Sequence, residues 1–169
     1  MGRPNISGVD AVHLEKIHPR LYLCSKRGSK AVSGQNVANI TVAGEATVGF
    51  LRHHPSGYRA YVIAGDTMLM GYGEFVEVFE KGSDLLRKAL KKGYHTMLSC
   101  YAGINRSVTT ILMYVIRYTD KDWRKARDYI RDMNKRYRRL PALTNPTFEE
   151  HLHRYAKQHA KQHAKQHGR

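Results

Sequence analysis

The chain reads as one α/β domain, a central twisted mixed sheet flanked by helices. Short β-rich runs come first, a helix–strand–helix unit follows, and further helices close the chain. That order is the pattern of a layered domain with the strands inside. A length of 169 residues, 41% of them hydrophobic, is enough for one good core and leaves little room for a second.

Residues 1–8 are polar, with Gly2, Pro4 and Gly8, and read as a loose N-terminal end. Runs 12–17 and 21–24 are strand-like, separated by the turn signal His18-Pro19-Arg20. Runs 40–43 and 58–64 are also β-rich. Residues 74–92 carry Phe75, Val78, Phe79, Leu85, Leu86 and Ala89 at helical spacing, with Gly93 following. Run 95–100 reads as a buried strand centred on Thr96-Met97-Leu98. A glycine-containing loop leads into an apolar helix over 107–118. The next helix, 123–137, is basic and amphipathic, with Trp123, Ala126, Tyr129, Ile130 and Met133 on one side. Pro141 breaks it, and Asn145-Pro146 opens a last helix through Phe148 and Leu152.

The main domain is thus expected over 9–155, with a low-complexity tail over 156–169. The tail holds three copies of Ala-Lys-Gln-His. On a helix, a four-residue repeat brings His159, His163 and His167 to one stripe. No acidic or cysteine ligand accompanies them and the repeat has no apolar face, so it reads as a solvated helical extension or disordered tail rather than a metal site.

Lys and Arg total 29 against 14 acidic residues, a net charge of +15. Such an excess attracts phosphate-rich partners, whether phosphoprotein, RNA or anionic lipid, without choosing among them. Much of it lies within 117–139, at Arg124, Arg127, Arg131, Lys135, Arg136, Arg138 and Arg139. Asp120, Asp122, Asp128 and Asp132 balance part of this, which suits a solvated helix face. The 135–139 stretch, uninterrupted by acid, is the best candidate there for a docking patch. No apolar run approaches the ~20 residues of a membrane span, and the first residues lack the apolar stretch of a secretory signal. Two cysteines exclude a disulfide scaffold and a four-cysteine zinc site. An intracellular, reducing compartment, cytoplasm or nucleus, is expected.

The chemistry concentrates in Leu98-Ser99-Cys100-Tyr101-Ala102-Gly103-Ile104-Asn105-Arg106-Ser107, between a buried strand and a helix start. Backbone N–H groups in such a loop, with the helix dipole behind them, make an anion cradle. Gly103 allows the tight curve. Arg106 offers a planar fork for two phosphate oxygens. Cys100 lies in that positive field, which favours its thiolate, and Ser107 is placed to donate a hydrogen bond to the departing sulfur.

Cys100-x5-Arg106 followed by Ser107 resembles the signature of the cysteine-dependent protein tyrosine phosphatase superfamily. Two further segments resemble its dual-specificity branch: His18-Pro19-Arg20-Leu21-Tyr22-Leu23 is similar to the early Pro-x-Leu-Tyr-Leu strand, and Asn145-Pro146-Thr147-Phe148 with Leu152 to the closing helix start. The resemblance covers about residues 12–155. It implies phosphomonoester hydrolysis through a cysteinyl-phosphate intermediate, with no metal or other cofactor, on phosphorylated protein substrates. Cys100 is then the nucleophile, Arg106 the phosphate and transition-state ligand, and Ser107 the aid to the second step. The amides of Tyr101, Ala102, Gly103, Ile104, Asn105 and Arg106 hold phosphate oxygens.

The family's general acid sits on a loop well upstream of the cysteine, and Asp66 in Ala64-Gly65-Asp66-Thr67 fills that place. Without the resemblance, an Asp after a strand reads as a turn or cap residue. Asp10 lies too early, and Asp84 falls within the 74–92 helix.

Two departures open alternatives. The family usually carries His before the cysteine, and this chain has Ser99, which implies a lower thiolate fraction and admits a weakly active pseudophosphatase that binds phosphorylated partners. Asn105 stands where dual-specificity members commonly carry Ser; Gly103-Ile104-Asn105-Arg106 is similar to RNA 5′-phosphatase relatives. Those relatives begin His-Cys and continue Thr-Gly, unlike Ser99-Cys100 and Ser107-Val108. Cys24 reads as a buried strand cysteine, while a regulatory disulfide with Cys100 would need their Cα atoms within ~7 Å.

Overall fold

The computed structural model describes residues 2–53 and 57–166. Five strands form one sheet: β1 (Ala11–His13), β2 (Leu21–Cys24), β3 (Ala38–Ala43), β4 (Tyr58–Ile63) and β5 (Thr96–Ser99), in the order β1-β2-β5-β3-β4. β1 is antiparallel to β2 and all other neighbours are parallel, so the sheet is mixed. The flanking helices are α1 (Lys26–Val32), α2 (Glu45–Leu51), α3 (Tyr72–Lys91), α4 (Arg106–Tyr118), α5 (Trp123–Met133) and α6 (Pro146–Gln166). A π-helical turn, Asn134–Arg138, continues α5.

Successive strand residues face opposite sides of a sheet, and the two sides differ here. Leu21, Leu23, Ile40, Val42 and Leu98 join Phe75, Phe79, Ile111, Leu112 and Phe148 in the main core. Each such buried side chain contributes about 1.5–3 kcal/mol relative to exposure. The other side is thinner. Tyr22, Cys24 and Met97 pack with Val32 of α1, and Ala43 and Cys100 with Val48 of α2. It is also more polar: Ser29 Oγ donates to Asn39 Oδ1 at 2.9 Å, and the Thr41 and Ser99 hydroxyls share a hydrogen bond at 3.1 Å.

Several expected elements change. Of the 12–17 run only Val12 and His13 pair as a strand, in β1; Leu14 and Ile17 are buried in a turn, where Ile17 N–H and His18 N–H both bond Leu14 O. Apolar residues plugging a turn give the same sequence signal as a strand. β3 begins earlier than expected, at Ala38, and β5 is trimmed to Thr96–Ser99. α1 and α2 have no counterpart in the sequence reading. α1 contains Gly28, a poor helix former that is needed there, since a Cβ would stand 2.2 Å from the Asp10 carbonyl oxygen.

At the ends, Asn5 exchanges hydrogen bonds with Gln35, and Ile6 packs against the Tyr22 cluster. α6 runs unbroken across 155/156 to Gln166. His159 stacks on Tyr155 and His163, with ring centroids 6.3 and 6.5 Å apart; Met1 and His167 lie outside the described residues. Because β2, β3, β4 and β5 are parallel, the loops that leave Cys24, Ala43, Ile63 and Ser99 converge at one sheet edge. Open α/β sheets bind ligands at that edge.

Candidate active site

Residues 100–105 link β5 to α4, and each carbonyl from Tyr101 to Asn105 is taken by a donor. Tyr101 O accepts from Lys26 N–H at 3.0 Å, Ile104 O from Leu143 N–H at 2.8 Å and Asn105 O from Thr109 N–H at 2.8 Å. Ala102 O accepts from Arg138 Nη2 at 2.6 Å; Gly103 O accepts from Arg138 Nη1 at 2.8 Å and Asn134 Nδ2 at 3.1 Å. In a planar trans peptide the N–H points opposite to the C=O. Fixing the carbonyls outward therefore leaves the N–H groups for the inside of the curve. Gly103 N–H indeed donates to Cys100 Sγ at 3.2 Å. Gly103 has φ +73°, and a Cβ there would lie 2.7 Å from both Arg138 Nη1 and the Cys24 carbonyl oxygen.

The π-helical turn brings Asn134 and Arg138 together beneath this loop, one of the local uses such turns serve. Arg138 also donates to Asn134 Oδ1 at 3.0 Å and pairs with Asp10 at 2.8 Å; its side chain is 1% exposed. Of the 135–139 stretch, weighed as a docking patch against a solvated helix face, Arg138 is therefore not available at the surface. Arg138 turns inward because its fork meets the loop carbonyls, and Arg136 pairs with Asp132. Asp10, set aside as a general acid, is the counter-charge of this support. Arg138, Asn134 and Asp10 were missed in the sequence, where the first two carry only the signal of a basic helix.

Cys100 is buried, with Sγ 3.1 Å from Ser107 Oγ. Burial on its own pushes a thiol up. The Ser107 hydroxyl and N–H, the Arg106 charge and the Ile104 N–H outweigh it and hold Cys100 below the ordinary thiol range. Cys24, without such donors, is pushed far up by burial, and its Sγ lies 3.8 Å from Leu98 O; both cysteines are free thiols. Ser99 is fully buried with its hydroxyl bonded to Thr41. His95 sits at the other end of β5, beside Tyr22.

Asp66 reaches the same mouth. Its Oδ2 accepts from Asn105 Nδ2 and its Oδ1 from Asn145 Nδ2, each at 2.9 Å. The segment around it is held along its length: Arg106 Nη1 donates to Ala64 O at 2.9 Å, Thr147 Oγ1 donates to Met68 O at 2.8 Å, and His151 Nε2 lies 2.8 Å from Met70 O. Arg106 Nε is buried with no partner among the described residues. The fold thus brings Cys100, Arg106, Ser107 and Asp66 to one place. Tyr101 is 55% exposed at the rim, with the Lys26 ammonium 4.4 Å from its ring. No group of three or more potential metal ligands occurs among the described residues, and no helix there is long and apolar enough to cross a membrane.

Comparison with known proteins bears on the fold and the family. Human DUSP28 superposes with a TM-score of 0.65 at 18% identity, over 88% of this chain and 93% of that one. DUSP15 gives 0.64 at 23% identity, over 83% and 85%. A human tyrosine phosphatase-like serine/threonine/tyrosine-interacting protein gives 0.65 at 17%, over 82% and 92%. At these identities the likeness is one of fold. No curated protein sequence matches. The family described as "Dual specificity phosphatase, catalytic domain" matches residues 21–158, most of the chain. With most of its length matching that family and its fold shared with such enzymes, the chain belongs to the dual-specificity phosphatases.

Proposed function

We propose that the protein hydrolyses phosphomonoesters through a cysteinyl-phosphate intermediate, as a dual-specificity protein phosphatase acting on phosphorylated Tyr and Ser/Thr. The observation that carries this is the cluster of donors around a single buried thiol, which lies below its ordinary pKa range despite Ser99.

The amides from Tyr101 to Arg106 and the Arg106 fork hold the non-bridging phosphoryl oxygens. Cys100 thiolate attacks phosphorus in line, forming the P–S bond as the P–O bond breaks. Protonated Asp66 gives its proton to the leaving oxygen. In the second step water attacks phosphorus, Asp66 takes the water proton, and the sulfur leaves as thiolate stabilised by the Ser107 hydroxyl. Ser99, spent on Thr41, has no part in these steps. Asn105, the residue behind the RNA 5′-phosphatase alternative, is engaged with Asp66 and the chain at Thr144, so its presence has an explanation that does not involve RNA.

The test is phosphate release from a small aryl phosphate by wild type, Cys100→Ser and Asp66→Ala. Turnover lost in Cys100→Ser and strongly reduced in Asp66→Ala is expected. No wild-type turnover by folded, reduced protein across a pH series, with tight phosphopeptide binding, would replace this reading with the pseudophosphatase. Faster phosphate release from 5′-triphosphorylated RNA than from a phosphotyrosine peptide would replace it with the RNA enzyme.

A further inference from the structure

The segment that carries Asp66 is exposed, yet its carboxylate is gripped at both oxygens by amides from different parts of the fold. Asn145 belongs to the start of α6, where its own Oδ1 accepts from Thr147 N–H at 3.0 Å and Phe148 N–H at 3.1 Å. Asn105 belongs to the phosphate loop, directly before Arg106. Its Oδ1 accepts from Thr144 N–H at 2.7 Å and Asn145 N–H at 3.0 Å, while its Nδ2 donates to Asp66 Oδ2 at 2.9 Å and Thr144 Oγ1 at 3.2 Å. Asn105 is only 8% exposed, so its end of these bonds is shielded from bulk water, which favours a fixed geometry.

One side chain therefore ties three segments together: the anion cradle, the stretch before α6, and the Asp66 segment. An amide suits this junction because it presents an acceptor and a donor on opposite branches of a rigid group. A serine, with one short hydroxyl, cannot reach two backbone donors and a carboxylate at once. A carboxylate such as Asp would keep the acceptor and turn the other branch into a repulsive contact with Asp66.

We infer that Asn105 is a positioning residue that fixes the Asp66 carboxyl against the phosphate loop, so that proton transfer to the leaving oxygen does not wait for the segment to dock. The inference rests on the reading of Asp66 as general acid. Its consequence is specific to the step Asp66 serves. Misplacing the acid slows expulsion of a basic leaving group far more than of one that departs readily as an anion, because positioned proton transfer is worth 10²–10⁴-fold where it is needed. A residue with a merely structural role would slow both alike.

The experiment measures kcat and KM across aryl phosphates whose leaving phenols span a range of acidity, for wild type, Asn105→Ser, Asn105→Asp and Asp66→Ala. Inorganic vanadate inhibition reports the cradle and thermal unfolding the fold. The expected result is a steep new dependence of kcat on leaving-group acidity in Asp66→Ala. Both Asn105 variants should show the same dependence in part, with kcat lowered on the order of tenfold more for the poorest leaving group than for the best, and vanadate inhibition weakened less in Asn105→Ser than in Asn105→Asp. Equal loss for all leaving groups in Asn105→Ser, or no loss, overturns the inference while Asp66→Ala still behaves as stated. A flat dependence in Asp66→Ala itself overturns the general-acid reading instead.

Discussion

The two walls of the site are built in different ways. Behind the sulfur, the phosphate loop is fixed through its main chain, with a nearly buried Arg138, Asn134 and the N–H groups of Lys26 and Leu143 taking its carbonyls. In front, the Asp66 segment is exposed. Met68 is 64% and Leu69 92% exposed, and the segment is fastened by a few side chains reaching from Asn105, Asn145, Thr147 and His151. The rear wall can hardly move without unmaking the fold, whereas the front wall can be loosened one contact at a time. Anion binding and thiol acidity should therefore fail together with stability, and acid function should fail separately.

The largest effect tests the rear wall. Arg138→Met leaves the Ala102 carbonyl without its donor and the Gly103 carbonyl with Asn134 alone, at about 1–3 kcal/mol for the one unsatisfied group. Denaturant unfolding should show a loss of about 1–3 kcal/mol, and vanadate should bind correspondingly more weakly. Gly103→Ala comes next: its φ of +73° and the 2.7 Å approach of a Cβ to the Cys24 carbonyl should lower kcat for every leaving group alike.

Ser107→Ala removes one of the groups that hold the Cys100 thiol down. A lowered thiol pKa keeps thiolate present at lower pH, so its removal should move the midpoint of Cys100 alkylation upward, measured by iodoacetamide rate against pH. Asp10 shows the same linkage in stability. Burial raises its carboxyl, but the Arg138 and Ser25 bonds and the Arg138 charge prevail and hold it below the usual range. The stabilisation is complete above the ordinary carboxylate range and is lost as pH falls through the folded value. Asp10→Asn should flatten that acid limb of an unfolding-against-pH series.

The smallest effect belongs to the front wall. Thr147→Val deletes the donor to Met68 O, which is worth about 0.5–1.5 kcal/mol. Turnover of the best leaving group should stay unchanged and that of the poorest should fall slightly. A uniform fall would erase the distinction between the walls.

The difference between the walls also explains what the sequence revealed. Cys100, Gly103, Arg106 and Ser107 lie in one short segment, so spacing and glycine placement disclose the cradle. Asp66 became a candidate only through resemblance, because an Asp after a strand has several ordinary roles. Arg138 was hidden: a helix-period reading leaves it in a basic run, and the π-helical turn that aims it at Gly103 carries no such signature. Asn105 and Asn145 are far apart in sequence and meet at one carboxylate only when the fold sets the start of α6 beside the phosphate loop. α1 escaped notice because Gly28 answers to Asp10 across the fold rather than to its own helix.

The most direct test of the account is to trap the intermediate. Wild type, Ser107→Ala and Cys100→Ser would each be mixed with an aryl phosphate, quenched in acid within a turnover, and the peptide containing residue 100 examined by mass. One phosphoryl group is expected on Cys100, accumulating further in Ser107→Ala and absent from Cys100→Ser, which also fails to turn over. Sustained turnover by Cys100→Ser, or burst-free turnover with no adduct in Ser107→Ala, would contradict it.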